Sequence, residues 1–405
     1  LSRISAEQTA LALIAFAMPI SIAAANLALG FGLLLALWRI VEVDPGRSRL
    51  GGLFGIMLLI FLVVHFTAML LSNYPVHLKH WFEKRWVLAA FVVPVVLIRD
   101  QLSGERALYL VMIGGLLAAI LALVQNAFGW DPVRDQFMEY HGGGSMAIGP
   151  FNHHLTYGGA AMIVALLALA RFPFGGSRVD LLRAFFAIIL SALGLYVSFA
   201  RSALVGFGVG ALGFVLLAPR KLRYWALGAL VTGGAALLAL VPGMLTRFTY
   251  IFQGEGVGEG PRLALVRSSL RIIREYPLLG VGAGNWREAF FQYGASGRYP
   301  SIAHPHSDLL SIAVDGGLIS LTLFIAVWVI FFARMIRWRP DDNLAGESHS
   351  GESIVRKSAL MVVPAIFTAG LFQNYLTDAE VANILWFVVG TALAVESSSR
   401  APVRG

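Results

Sequence analysis

The chain contains no cysteine among its 405 residues, so no disulfide frames the fold and no thiolate metal site exists. Charge is scarce as well: 13% of residues are Asp, Glu, Lys or Arg, against about a quarter in a soluble domain. No paired acidic motif of the kind that holds a divalent cation on a diphosphate stands on what is read below as the outer face, which leaves arginine as the counter-charge for any phosphate bound there. Internal repeats and low-complexity tracts are absent too. Cofactor motifs fare no better: Gly280-Val281-Gly282-Ala283-Gly284 has the look of a nucleotide loop but follows a helix rather than a strand, and so reads as a turn. A zinc site built from His153, His154, His304 and His306 lacks ligand spacing on any one helix. The residues therefore call for no cofactor and no metal.

What the chain has in abundance is apolar sequence, 58% of the total with mean hydropathy +0.74. Spread along the whole length, this makes a membrane the solvent. About twelve spans are expected, near 8–23, 26–40, 51–72, 86–99, 106–125, 154–171, 184–200, 203–218, 225–242, 308–333, 358–373 and 381–396. They pack as one all-α, polytopic body over 1–405. The first two are short and suit a tilted pair or a hairpin. The first runs into the second without a small-residue cleavage site, which reads as no cleavable signal peptide. The apolar run 184–218 is too long for one span at about 1.5 Å per residue and must break, with Ser198, Arg201 and Ser202 marking the place.

Net charge is +8, and the basic residues collect at span ends, as membrane insertion requires; this is no nucleic-acid signal. One set of loops carries Arg39, Arg47, Arg49, Arg99, Arg106, Arg171, Arg178, Arg183, Arg220, Lys221, Arg223, Arg334, Arg337, Arg339, Arg356 and Lys357, with Arg400 and Arg404 in the tail. That side is assigned to the cytoplasm together with both termini. The opposite side holds the long loop 243–307, between the ninth and tenth spans, and a basic cluster of Lys79, Lys84 and Arg85 that suits an interfacial helix or an anion site. Residues 338–356 read as a polar connector.

Four features of the outer face carry chemistry. Arg201 sits in an apolar run, where an ionisable group is costly; it serves function or snorkels to headgroups. A loop helix is expected over 262–275, begun by Pro261 and ended by Pro277. Leu263, Val266, Leu270 and Ile273 make one stripe of it, and Arg267, Arg271 and Arg274 another that suits a membrane surface. Arg262 falls outside the basic stripe and is expected to point to the bundle mouth, where a guanidinium suits an anionic ligand. Ala303-His304-Pro305-His306-Ser307-Asp308 brings two histidines to the membrane surface, and His306 can act as a general base there. Gly149-Pro150-Phe151-Asn152-His153-His154 offers Asn152 and His153 either to sugar hydroxyls or as a helix cap. Asp315, followed by Gly316-Gly317, lies two turns into the tenth span.

Three segments together resemble the O-antigen ligase and polymerase superfamily. They are Ser198-Phe199-Ala200-Arg201-Ser202; Arg262 followed by Tyr276-Pro277-Leu278-Leu279-Gly280-Val281-Gly282; and His304-Pro305-His306 with Gly316-Gly317-Leu318. Length and loop size are most similar to the O-antigen ligase family, although Ser307 stands where that family often has Asn. The resemblance implies a glycosyltransferase type C-like enzyme of the bacterial inner membrane, with its active site facing the periplasm. The implied donor is O-antigen on undecaprenyl diphosphate, and the implied acceptor is a sugar hydroxyl of the lipid A core. It implies Arg201, Arg262 and His306 as catalytic residues. Lys79, Lys84, Arg85, His304, Asn152 and His153 are read as substrate-binding. An O-antigen polymerase or a protein O-oligosaccharyltransferase would use the same motifs. A lipid or glycan transporter fits less well, because the polar residues gather at one face rather than at mid-membrane.

Overall fold

The computed structural model describes residues 5–43, 51–140, 144–173, 177–240, 261–293, 304–338 and 354–399. The expected basic positions Arg47, Arg49, Arg339, Arg400 and Arg404, the bulk of the 338–356 connector and Ala303 lie outside them.

Among the described residues the chain is almost entirely helical. In order come α1 (Ala6–Ala17), α2 (Ile22–Trp38), α3 (Leu53–Leu71), the short α4 (Leu78–Arg85), α5 (Ala89–Leu97), α6 (Gln101–Phe128) and α7 (His154–Ala170). There follow α8 (Arg178–Val197), α9 (Arg201–Leu217), α10 (Arg220–Leu240), α11 (Pro261–Glu275), α12 (Trp286–Tyr293), α13 (Asp308–Arg337), α14 (Ile354–Gly370) and α15 (Ala379–Ser399). A helix stands at each expected span. Among the described residues six segments are long and apolar enough to cross a membrane by themselves: Ile22–Val41, Leu53–Leu71, Gln101–Phe128, Arg178–Val197, Asp308–Arg337 and Ala379–Ser399. Ala6–Ala17, His154–Ala170 and Arg201–Leu217 are apolar but shorter. α1 and α2 pack side by side, as a hairpin would.

α7, α14 and α15 are buried nearly all round and form the centre of the bundle. Small residues let backbones approach there. A methyl on Gly206 would meet the Ala365 carbonyl at 2.5 Å, and one on Gly210 the Met361 carbonyl at 2.9 Å, so α9 lies directly on α14. Outward-facing residues such as Leu27, Phe31 and Leu34 of α2 or Phe185 and Phe186 of α8 are exposed, as a lipid-facing shell requires.

Ion pairs and caps sort the helix ends to two sides. Arg334 near the end of α13 reaches both Glu396 on α15 and the Gly51 carbonyl ahead of α3. Arg171, at the end of α7, donates to the Glu105 carbonyl of α6 at 3.1 Å and lies over Tyr109. A methyl on Gly104 of α6 would touch Val395 and Val355, so these basic ends share one side. The start of α7, the α8–α9 junction, the start of α13 and the α14–α15 loop gather at the other.

The 184–218 run breaks where expected. α8 ends at Val197, Phe199 takes φ +55°, and α9 restarts at Arg201. A positive φ on a bulky residue costs on the order of 1–3 kcal/mol and persists only when its surroundings enforce it. Here the buried Ser198 hydroxyl donates to Leu195 O at 2.6 Å and accepts from Ala200 N at 3.2 Å, filling backbone groups that the broken helix leaves open.

A second break interlocks the outer loop with α13. Gly317 leaves the helical region at φ +68°, ψ −174°. The segment after α11 supplies the missing partners: Val281 N–H donates to Val314 O at 2.8 Å and Gly282 N–H to Asp315 O at 2.9 Å, while Leu318 N–H donates to Pro277 O at 2.8 Å. A methyl on Gly317 would lie 2.1 Å from the Leu278 carbonyl, and one on Gly280 2.3 Å from that of Val314. Gly280-Val281-Gly282 is indeed a turn, and it is wedged into a membrane helix.

α11 corrects one expectation. Its buried face is Ala264, Leu265, Ser268, Ser269 and Ile272; of the expected stripe Val266 and Ile273 are half-buried, Ile273 packing against the core, and Leu263 and Leu270 are exposed. Leu265 and Ile272 join Val281, Trp286, Phe290 and Val314 in a small core beneath the loop. The serines are buried without penalty because each hydroxyl donates one turn back, to Ala264 O at 2.8 Å and Leu265 O at 2.7 Å. Leu263 and Leu270, 47% and 54% exposed, therefore face outward beside Arg267 and Arg274. Leucine interleaved with arginine suits a headgroup layer.

Candidate functional site

The helix ends of the second side enclose an open cavity of about 500 Å³. Arg201 and Ser202 line it from the start of α9, Arg262 from the start of α11, Asn152, His153 and His154 from the start of α7, and Gln136 to Glu139 from a hairpin. Arg201 and Arg262 lie far apart in sequence, and the α8–α9 break and α11 deliver them to one space. Burial draws the Arg262 guanidinium below its ordinary value, with Tyr375 opposing. Arg262 still keeps solvent access through the open cavity, so the site presents a desolvated but reachable cation. The sequence left Asn152 and His153 as cap or ligand. His153 is the cap, its Nδ1 accepting from Leu155 N–H at 3.1 Å, and it lines the cavity as well. His154 Nδ1 bonds the Ser198 carbonyl at 2.9 Å and ties α7 to the α8–α9 break.

His304 and His306 stand beside the cavity rather than in its lining. Their ring centroids are 4.2 Å apart, and the His306 N–H donates to His304 Nδ1 at 3.2 Å. His306 has φ +53° and is fixed by Gln373, whose Oε1 accepts from Nδ1–H at 2.8 Å. The tautomer follows: with the proton on Nδ1, Nε2 keeps its lone pair. Burial lowers the His306 pKa, the Gln373 bond opposes, and Arg262 and His153 lower it further. Burial first, then His306, Lys84 and His153, bring His304 down to about 4. Both rings are therefore neutral at physiological pH.

The α14–α15 loop that carries Gln373 is held by groups that sequence reasoning missed. The buried Asp308 carboxylate accepts from Tyr375 N–H at 3.2 Å and Leu376 N–H at 3.0 Å. Asn374 donates to Ser311 at 2.6 Å, and Tyr375 shares a hydrogen bond with Ser202 of the Arg201 turn at 3.0 Å. Thr156 on α7 donates to Asp378 at 2.6 Å, and burial raises that carboxyl to about 7. No spacing rule joins Gln373 to His306 across the chain. The polar run Gln373-Asn374-Tyr375 between two apolar spans was the available signal.

No residue of the basic cluster of α4 lines this cavity, although Lys84 is near enough to act on His304. Lys79 is exposed and pairs with Glu83 at 3.8 Å. Lys84 donates to Thr377 O at 2.9 Å and so braces the same α14–α15 loop. Arg85 lines a small second pocket with His65, His80 and Asp315; burial lowers its pKa while Asp315 opposes. Among the described residues no group of three or more His, Cys, Asp or Glu side chains is arranged to hold a metal ion.

No curated protein matches the chain. A family model described as O-Antigen ligase matches residues 186–325, the stretch that contains the Arg201 break, Arg262, both histidines and the Gly280–Gly317 interlock. That family acts broadly as glycosyltransferases, joining or polymerising lipid-linked glycans. Over that segment the chain is similar to the O-antigen ligase family.

Proposed function

We propose that this chain is an O-antigen ligase. In this reading it transfers glycan from undecaprenyl diphosphate to a sugar hydroxyl of the lipid A core, at the periplasmic face of the inner membrane, with both termini cytoplasmic. The observation that carries the reading is the meeting of Arg201 and Arg262 in one cavity with His306 beside it. Two guanidiniums suit a diphosphate, and a neutral imidazole held in one tautomer suits an acceptor hydroxyl. About twelve spans around this site give a glycosyltransferase type C-like body.

The chemistry is a single displacement. His306 Nε2 takes the proton of the acceptor hydroxyl as its oxygen attacks the anomeric carbon. The new C–O bond forms opposite the glycosyl–phosphate bond, which breaks with its electron pair leaving on undecaprenyl diphosphate, so configuration inverts. Charge grows on the diphosphate as that bond lengthens, and Arg201 and Arg262 stabilise it most at that point. The guanidiniums supply the counter-charge that divalent cations supply in other phosphate chemistry, so turnover needs no added metal.

A deletion strain tests the assignment. Loss of long-chain lipopolysaccharide while lipid-linked polymer accumulates is the expected result. Single repeat units remaining on the core would assign a polymerase instead, and an unglycosylated pilin a protein oligosaccharyltransferase.

A further inference from the structure

The cavity has a second wall that the displacement does not use. It is the hairpin between α6 and α7, with strands β1 (Trp130–Asp131) and β2 (Gln136–Phe137). Along their own axes α6 rises about 35 Å from Glu105 to its end, and α7 about 26 Å, so the hairpin stands roughly 9 Å above the floor where α7 begins. It is firmly built. The fully buried Asp131 carboxylate accepts from Val133 N–H at 2.9 Å and pairs with Arg134 at 2.9 Å, while Arg134 also donates to Pro150 O at 2.5 Å. Met138 N–H donates to Gly129 O and Met146 N–H to Glu139 O, both at 2.9 Å.

Strand register sets what this wall presents. Asp131 pairs with Gln136 and Trp130 with Phe137, and cross-strand partners share a face. Both strand-β2 residues are exposed and both line the cavity, Gln136 opposite Asp131 and Phe137 opposite Trp130. Phe137 stands at the rim, 89% exposed. Gln136, Glu139 and Asn152 offer amides that donate and accept, and a carboxylate that accepts. A diphosphate presents only acceptors and negative charge, which Glu139 would repel. A polyhydroxyl ring presents donors, acceptors and an apolar C–H face for an aromatic ring. The volume agrees: about 500 Å³ falls within the roughly 300–1,000 Å³ of sites that take a whole small molecule.

We propose that Gln136, Phe137 and Glu139, with Asn152, form a sugar subsite that receives the glycan ring adjoining the diphosphate held by Arg201 and Arg262. This rests on the ligase reading, in which those arginines bind the diphosphate. The subsite gives the enzyme a means of sensing the first sugar of its donor separately from the lipid phosphate.

Two measurements on the purified full-length protein test it: KM for the glycan-bearing donor, and Ki for glycan-free undecaprenyl diphosphate as product inhibitor. The variants are Phe137→Ala and the double variant Gln136→Ala/Glu139→Ala, whose truncated side chains are exposed and leave the Asp131–Arg134 brace intact. Each is expected to raise KM about tenfold, the equivalent of one or two lost contacts, with Ki unchanged. KM and Ki rising by the same factor would overturn the subsite and make the hairpin a lipid contact. Unchanged KM would overturn it as well. Arg262→Ala separates the underlying reading: it is expected to raise Ki, and an unchanged Ki there would sink the diphosphate assignment whatever the hairpin variants do.

Discussion

Replacing Gln373 by Leu should disable the base without touching it. Gln373 is 6% exposed, and its Oε1 accepts the His306 Nδ1–H at 2.8 Å. Leucine is of similar size, so the packing survives while the acceptor disappears. The lost bond is worth about 1 kcal/mol, and the stranded Nδ1–H adds about 1–3 kcal/mol of unmet desolvation. The ring escapes that penalty by turning or by moving its proton to Nε2, and either change removes the base from the hydroxyl. At about 1.4 kcal/mol per factor of ten, kcat should fall by roughly 10- to 100-fold with donor KM little changed. Gln373→Glu should do the opposite to basicity. A carboxylate on Nδ1 favours the imidazolium, so the acidic limb of the pH–rate profile should move upward from its wild-type position, which lies below the ordinary histidine value of 6.5 because burial disfavours the charged ring. The assay is glycan transfer by purified protein across the acidic range. Wild-type kcat in Gln373→Leu together with an unmoved limb in Gln373→Glu would refute the argument that Gln373 sets the tautomer.

Other expectations follow from the same geometry. Gly317→Ala places a methyl 2.1 Å from the Leu278 carbonyl at a residue with φ +68°; strain and overpacking of about 2–5 kcal/mol should lower the unfolding temperature in detergent, and transfer should weaken because α11 carries Arg262 and His306 stands just ahead of α13. Acid should destabilise the fold through His304. Its folded value of about 4 lies below 6.5, so the unfolded chain takes the proton first, and stability is lost as pH falls from 6.5 towards 4. Melting curves of His304→Gln should be flatter across that window. Arg201→Ala should cost roughly 10²- to 10³-fold in kcat, the usual toll for one preorganised donor to a developing anion.

Much of this was legible in the sequence because its signals are local. Apolar runs of span length, the overlong 184–218 stretch and the proline-bounded loop helix each name their own element. Arg201 stood out as a cation in an apolar run and Arg262 as the arginine off the basic stripe of its helix, and both line one cavity. Three things were not legible. The buried face of α11 was misread because Ser268 and Ser269 count as polar, although each hydroxyl is satisfied one turn back. Lys79 was grouped with Lys84 and Arg85 by proximity in sequence, yet α4 leaves Lys79 in solvent while Lys84, bonded to Thr377, and Arg85 both line a separate pocket. Gln373 and the interlock at Gly317 depend on contacts between distant segments, which no periodicity reports. The Gly280-Val281-Gly282 turn shows the difference: its conformation was readable, but its insertion into α13 was not.

The most direct test of the account joins purified glycan–undecaprenyl diphosphate to purified acceptor lipid, with a chelator present throughout, comparing the wild-type chain with His306→Ala. Transfer by the wild type in chelator, with inverted configuration at the new bond, and near-complete loss in His306→Ala are the expected results. Transfer by His306→Ala at the wild-type rate, or wild-type transfer that stops in chelator and returns with a divalent ion, would contradict it.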